Sequence, residues 1–116
     1  MKWFKLSDFA CKCGCGLNNI SPILTQKIDD ARELAKVPFV VNCGTRCPKH
    51  NKEEGGESNS SHLRGLAIDI SVKTSTVRFA ILHALITLGF KRIGVYPTFI
   101  HVDIDTSLPQ SVIWYK

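Results

Sequence analysis

Three residues in two segments of the chain have side chains that can bind one metal ion together. His62 and Asp69 lie seven residues apart, and His101 stands alone within residues 99–103. Two imidazole nitrogens and one carboxylate oxygen suit zinc, which holds such ligands at about 2.0–2.2 Å and keeps a fourth position for water in catalytic sites. Such water can attack a carbonyl group. The set predicts a zinc hydrolase, although each residue taken singly is more often structural.

Two helices are predicted to support these residues. Ser21-Pro22 is a good helix start, and apolar residues follow at helical spacing to Ala35, before Pro38 stops the run. A second helix begins at Thr74 or Ser75 and ends at Gly89.

Short strands are the other predicted elements. Alternating or apolar runs predict strands over residues 39–41, 66–70, 92–96 and 99–105, and a long loop over residues 43–61. Pro97-Thr98 is predicted to join the last two strands as a hairpin. Residues two apart on a strand point the same way, so His101, Asp103 and Asp105 should share one face. Asp103 could then orient His101 or handle protons, whereas a solvent-facing acid on an edge strand is the alternative for both aspartates.

The segment Ser60-x-His62-x-x-Gly65-x-Ala67-x-Asp69 resembles the signature of the zinc D-Ala-D-Ala carboxypeptidases. That fold is shared with phage L-alanyl-D-glutamate endopeptidases and with the hedgehog signalling domain. Other parts of the chain are similar to the bacterial and phage branch of the family: residues 4–16, residues 42–51 with Arg46, the Gly55-Gly56 and Asn59-Ser60 pairs, and residues 94–103.

The resemblance implies an α+β fold with a small, mainly antiparallel sheet and two main helices, like the hedgehog and DD-peptidase domains. It implies that zinc is bound by His62, Asp69 and His101 and activates the attacking water. The expected substrate is a peptidoglycan stem peptide, and the expected activity is that of a D-Ala-D-Ala carboxypeptidase. Peptidoglycan endopeptidases share the metal motif and remain an alternative.

The resemblance also assigns substrate contacts. Arg46 is expected to grip a carboxylate or stabilise the oxyanion, since a guanidinium does both; pairing with a loop glutamate is the alternative. Ser60 is expected to hydrogen-bond the substrate. Tyr96 either lines the cleft or is a half-buried aromatic at a strand end.

The general base is the open assignment. Many relatives carry an acid three residues before the final histidine, where this chain has Thr98. Asp103 is the first candidate base and His50 the second, and His50 is also a candidate substrate ligand. Three loop acids could approach the metal, although exposed glutamates usually only carry solvated charge: Glu53, Glu54 and Glu57.

The odd number of cysteines excludes complete internal pairing as disulfides. Cys11, Cys13 and Cys15 alternate near the N-terminus, and Cys43 and Cys47 flank the Arg46 loop. A structural zinc is one interpretation, although Cys-x-Cys-x-Cys is not the usual knuckle spacing. One disulfide between the N-terminal segment and the loop is another, in an oxidising compartment. Nothing marks one thiol as an activated nucleophile.

Composition is consistent with one compact domain over residues 1–116. The chain is 44% hydrophobic and 22% charged, which argues against disorder, and its longest apolar stretch is too short to span a bilayer. The net charge of +5 favours an anionic partner such as the bacterial wall, but the basic residues are scattered, which argues against nucleic acid. We expect a monomer without a secretory signal, reaching the wall by phage-type release or as part of a virion.

Three function classes follow. The first is a zinc peptidase of the bacterial wall. The second is a zinc-containing module that binds the wall without catalysis, as the hedgehog resemblance and Thr98 allow. The third is a structural phage component that only grips wall peptides. Metal-dependent turnover distinguishes the first class from the other two.

Overall fold

The computed structural model describes all 116 residues and contains two long helices, as predicted. Helix α1 spans Pro22–Ala35, and the Ser21 side chain caps it by accepting a hydrogen bond from the Leu24 amide. A short helix, α2, spans Pro48–Glu53 inside the predicted long loop, where none was expected. Helix α3 spans Ser75–Thr87, with Thr74 as its N-cap. No helix has both the length and the apolar character needed to cross a membrane.

Five strands form one sheet in the order β1-β2-β4-β3-β5. They are β1 Val41–Cys43, β2 Ala67–Ser71, β3 Arg92–Val95, β4 Phe99–Asp103 and β5 Val112–Tyr115. All neighbouring pairs are antiparallel except β3 and β5, which are parallel. The α+β fold with a mainly antiparallel sheet is therefore confirmed.

The strand predictions need correction at three places. The strand predicted over residues 99–105 ends at Asp103, so Asp105 lies beyond it. The strand predicted at residues 39–41 begins only at Val41, and the residues before it, buried Phe39 and exposed Val40, lie outside β1. No strand was predicted at residues 112–115, where β5 pairs with β3. The 97–98 hairpin is confirmed, since the Tyr96 amide donates to the Phe99 carbonyl at 3.0 Å.

The two faces of the sheet have different roles because side chains alternate along each strand. Ile68, Ile70, Ile100 and Val102 point from the central strands into the core that α1 and α3 cover. The intervening residues of β2 and β4 point to the opposite face, beneath the segment between β1 and β2. Arg46 and His62 of that segment contact Asp69, so the segment lies next to any site on this face.

Candidate active site

The three predicted metal ligands lie together on the face of the sheet away from the long helices. Asp69 of β2 and His101 of β4 are directly opposite each other in the register of the two central strands. His62 lies before β2, in a 3-10 turn at Ser61–Arg64. Gly65 ends that turn at φ +69°, and a side chain there would lie 2.1 Å from the Asn19 carbonyl oxygen.

Both imidazole rings point one nitrogen at the Asp69 carboxylate. His62 Nε2 is 3.3 Å from Oδ2, and His101 Nδ1 is 2.9 Å from Oδ1. Zinc ligands at about 2.0–2.1 Å with a tetrahedral angle lie about 3.4 Å apart, so these separations are close to those of a metal site. His62 and Asp69 are almost fully buried.

The nitrogen of each ring that points away from Asp69 donates to an acceptor, and the other nitrogen faces the Asp69 carboxylate. His62 Nδ1 donates to the Gly44 carbonyl at 2.8 Å, and His101 Nε2 donates to Asp103 Oδ2 at 2.8 Å. Metal-binding histidines usually make such a bond, because it fixes the tautomer and the ring orientation. His62 Nε2, His101 Nδ1 and the Asp69 carboxylate are therefore candidate metal ligands, and their chemistry suits zinc.

Cys43 is a further potential ligand that sequence analysis did not place here. The ligand atoms of Cys43, His62 and Asp69 all lie within 4.8 Å of one another. The Cys43 sulfur is 3.6 Å from His62 Nδ1, the nitrogen that also donates to the Gly44 carbonyl. The same sulfur accepts a hydrogen bond from Arg46 Nε at 3.1 Å. These contacts place the thiol at the outer edge of the His62 ring.

The charges of the cluster reinforce one another without a metal. Burial alone would lower the pKa of His62, but hydrogen bonding and charge from Asp69 and Cys43 outweigh it and raise the pKa to about 10. Burial likewise opposes ionisation of Asp69, yet hydrogen bonds from His101 and His62 hold its pKa below the usual value. The carboxylate is therefore ionised at neutral pH, and without a metal the charge of Asp69 favours the protonated form of both imidazoles, whose pKa values are raised.

Asp103 lies beside His101, as predicted, but not where a base would meet substrate. Only 2% of its surface is exposed, and it is not on the wall of the adjoining cavity. Its Oδ2 faces His101, while Oδ1 accepts from Arg92 Nε at 2.8 Å and from the Asp105 amide at 3.1 Å. This geometry makes Asp103 a positioning residue for His101.

Asp105 is also buried, so its interpretation as a solvent-facing edge acid is wrong. It is 1% exposed and accepts hydrogen bonds from Ser61 Oγ at 2.6 Å and Ser107 Oγ at 2.6 Å, and it pairs with Arg64. Burial opposes its ionisation, but the Ser107 and Ser61 hydrogen bonds outweigh burial and lower its pKa. Asp105 thereby anchors the turn that carries His62.

Arg46 is held at the edge of the metal cluster. Its backbone amide donates to the His62 carbonyl at 3.1 Å, and its NH1 donates to Asn51 Oδ1 at 3.0 Å. Its NH2 is 3.7 Å from Asp69 Oδ2. A β-carbon on Gly56 would lie 2.2 Å from Asn51 Oδ1, so the second glycine of the Gly-Gly pair permits the Arg46–Asn51 contact.

An open cavity of about 560 Å³ adjoins the cluster. His62, Asp69, His101 and Arg46 reach its wall, which is completed by loop and strand residues that include Ser60, Tyr96, Glu54 and Glu57. Ser60 Oγ accepts from the His62 amide at 3.3 Å, which leaves its hydroxyl proton for another acceptor.

His50, by contrast, does not reach this cavity. Its Nδ1 is 3.3 Å from the Cys11 sulfur, and its Nε2 is 3.2 Å from Glu54 Oε1. Both ring nitrogens therefore have partners, and His50 lines a neighbouring cavity together with Arg46 and Asp69. Its roles as base or substrate ligand stay predictions.

Trp114 is the main contributor that sequence analysis missed. Asp69, His101, Gly94 and Trp114 form one row across β2, β4, β3 and β5. Gly94 leaves room for the indole, whose ring atoms would lie 2.7 Å from a β-carbon there. The indole is 5.6 Å from the His101 ring and donates to the Tyr96 hydroxyl at 3.0 Å.

Two histidines and an aspartate at an open cavity, with an arginine beside them, are typical of metal-dependent hydrolases. The comparison with family models makes the assignment specific: the chain belongs to the Peptidase M15 family, whose model matches residues 2–103. The chain is thus a metallopeptidase of this family. A search of curated proteins finds no match.

Proposed function

We propose that the protein is a zinc peptidase that removes the terminal D-alanine from peptidoglycan stem peptides. The observation that carries this proposal is the position of Arg46, whose NH2 is 3.7 Å from Asp69 Oδ2 on the wall of the same cavity. A guanidinium beside the metal ligands can bind the free carboxylate at the end of a peptide. We further propose a monomer that needs no nucleic acid or membrane partner.

Zinc bound by His62, Asp69 and His101 would polarise the scissile carbonyl and lower the pKa of a water molecule. The protein supplies orientation and proton transfer. Asp103 holds the His101 ring with Nδ1 toward the site. Ser60 donates its hydroxyl proton to a substrate oxygen.

Glu57 is the base that we assign in place of the acid missing at Thr98. It lies on the cavity wall, and in the surrounding loop it contributes its backbone carbonyl to the bonds with Asn51 and Ser60. The carboxylate of Glu54, the other glutamate on that wall, is paired with His50. We assign to the Glu57 carboxylate the role of taking a proton from the attacking water and returning it to the leaving amine.

An endopeptidase is the second candidate, and the exposed rim of the cavity favours it. Gly55, Glu57 and Asn59 on that rim are exposed, so a peptide could continue beyond the carboxylate position. Arg46 would then bind a side-chain or internal carboxylate instead of a chain terminus.

The test is mass spectrometry of a stem pentapeptide incubated with zinc-loaded protein. Loss of one D-alanine that stops with chelator and in His62→Ala supports the carboxypeptidase, and a metal-dependent internal cut replaces it with the endopeptidase. Glu57→Gln should lower kcat by about 100-fold or more, as loss of general-base catalysis does. Glu54→Gln is the matched control and should retain most of the activity.

Zinc binding without any cleavage would refute the peptidase. It would favour a module that binds the wall, alone or as part of a phage particle. A pull-down with purified peptidoglycan would then show retention of the protein.

A further inference from the structure

Four of the five cysteines form a cluster outside the active site. The sulfurs of Cys11, Cys13, Cys15 and Cys47 all lie within 4.8 Å of one another. Cys11 and Cys13 are 3.4 Å apart at sulfur, and Cys13 and Cys47 are 3.6 Å apart. The N-terminal Cys-x-Cys-x-Cys segment is thus gathered around the cysteine that begins α2.

These separations match a tetrahedral thiolate site. Zinc–sulfur bonds of about 2.3 Å place two ligand sulfurs about 3.8 Å apart, which is only slightly more than the measured distances. The bond of a disulfide is much shorter, about 2.0 Å, and all five cysteines are free thiols.

Hydrogen-bond donors surround the sulfurs, as they do around metal-bound thiolates. The Cys47 amide donates to the Cys11 sulfur at 3.4 Å, and the His50 amide donates to the Cys47 sulfur at 3.4 Å. The His50 ring presents Nδ1 to Cys11 at 3.3 Å, and Glu54 fixes the ring from its other nitrogen. The contacts of His50 thus belong to this cluster.

We propose that Cys11, Cys13, Cys15 and Cys47 hold a second, structural zinc ion, with His50 supporting Cys11 from outside the ligand shell. Four thiolates close the coordination shell and leave no position for water, so this ion takes no part in hydrolysis. The four sulfurs also account for the odd cysteine total, since Cys43 remains apart beside His62.

The ion would fasten the N-terminal segment to the loop that carries Arg46. Apart from the cysteines, the N-terminal segment and this loop meet at Phe9. The Thr45 amide donates to the Phe9 carbonyl at 2.9 Å, and Gly44 packs against Phe9. Cys47 is the residue after Arg46, so a metal at Cys47 restrains the arginine that borders the active site. Small domains commonly gain stability from such a metal.

Cobalt(II) substitution tests the site directly, because thiolate ligands give an intense charge-transfer absorption in the near ultraviolet. The reduced full chain should bind two cobalt ions. His62→Ala should bind one and keep the charge-transfer band. Adding Cys13→Ser and Cys15→Ser together to His62→Ala should abolish the band, because only two of the four thiolates remain. Adding Cys43→Ser to His62→Ala instead, as the cysteine control, should leave the band in place.

Absence of the band from reduced His62→Ala, or its survival in the His62→Ala chain that also carries Cys13→Ser and Cys15→Ser, would overturn the proposal. A second measurement on the unmutated chain covers the case in which a variant fails to fold. Zinc should protect the exposed Cys13 and Cys15 from alkylation, and a chelator should remove that protection. Equal alkylation rates with and without zinc, or a disulfide in place of the metal, would also refute the site.

Discussion

Replacing Asp103 with asparagine should weaken zinc binding by changing which nitrogen of His101 carries the proton. In the native chain, Oδ1 accepts hydrogen bonds from Arg92 and from the Asp105 amide, and Oδ2 accepts one from His101 Nε2. Asparagine has only one acceptor oxygen and must satisfy either the two donors or the imidazole. Its –NH₂ group then faces the other side.

The asparagine oxygen should stay with the two donors. Turning the amide around would leave the Arg92 Nε–H and the Asp105 N–H unsatisfied in a buried place, at about 1–3 kcal/mol each. The amide –NH₂ therefore faces His101 Nε2, which must become an acceptor. The ring proton moves to Nδ1, the atom 2.9 Å from Asp69 Oδ1, where it blocks the lone pair needed by the metal.

Loss of such a supporting contact typically lowers metal affinity by about 10–100-fold, which corresponds to about 1.4–2.7 kcal/mol. Competition with a chromophoric chelator measures the zinc Kd, with Cys13→Ser and Cys15→Ser in every chain so that the cysteine cluster does not compete. Asp29→Asn is the control, because Asp29 is a buried carboxylate that accepts from the Lys2 and Trp3 amides, far from the metal ligands in sequence. It should lower stability without changing the zinc Kd. An unchanged zinc Kd in Asp103→Asn would refute this account of the His101 tautomer.

Three further predictions concern the glycines and the acid stability. Gly56→Ala should lower kcat/KM by about 100-fold, the typical cost of misplacing a group by about 1 Å, because the new methyl group displaces Asn51 and with it Arg46. Gly55→Ala is its control, because φ at Gly55 is +71° but no atom lies within 4 Å of the new methyl group. Urea titration should show that the free energy of unfolding falls by about 1–2 kcal/mol, while Arg46 stays in place. Gly65→Ala should lower Tm far more than Gly55→Ala, because the new methyl group would meet a backbone oxygen at 2.1 Å; equal Tm values would contradict this. Burial of Asp29 opposes its ionisation, but hydrogen bonds from the Lys2 and Trp3 backbone amides outweigh burial and lower its pKa. The ionised carboxylate therefore stabilises the fold above the unfolded-state pKa of about 4, and this stabilisation is lost as the pH falls. In chelator-treated protein, Asp29→Asn should therefore reduce the difference in unfolding free energy between pH 7 and pH 3, and an unchanged difference would contradict that role.

The helices could be predicted from sequence because their signals are local. Ser21-Pro22 and Thr74 cap α1 and α3 where the pattern indicated, and the apolar spacing fixed their length. The six-residue α2 could not be predicted in this way. It depends on Cys47 as N-cap and on the buried Asn51, whose partners lie in the folded loop.

The site was predictable in its composition but not in its supporting contacts. The spacing of His62 and Asp69 and the isolated His101 indicated one cluster, and the fold brings the three together. The partners that orient these histidines come from tertiary structure. The Gly44 carbonyl accepts a hydrogen bond from His62, and Trp114 on β5 contacts His101 on β4 across the sheet. Sequence spacing carries no signal for either contact.

Because Trp114 lies at the end of the row that contains Asp69 and His101, its fluorescence reports on the metal site. The chain has two tryptophans, and Trp114 lies 5.6 Å from the His101 ring, whereas Trp3 packs on Arg32 near the N-terminus. A protonated imidazole quenches indole fluorescence at contact distance, and a metal that displaces the proton changes that quenching. The emission of a Trp3→Phe chain should therefore follow occupancy of the His101 side of the site in real time, without any added dye.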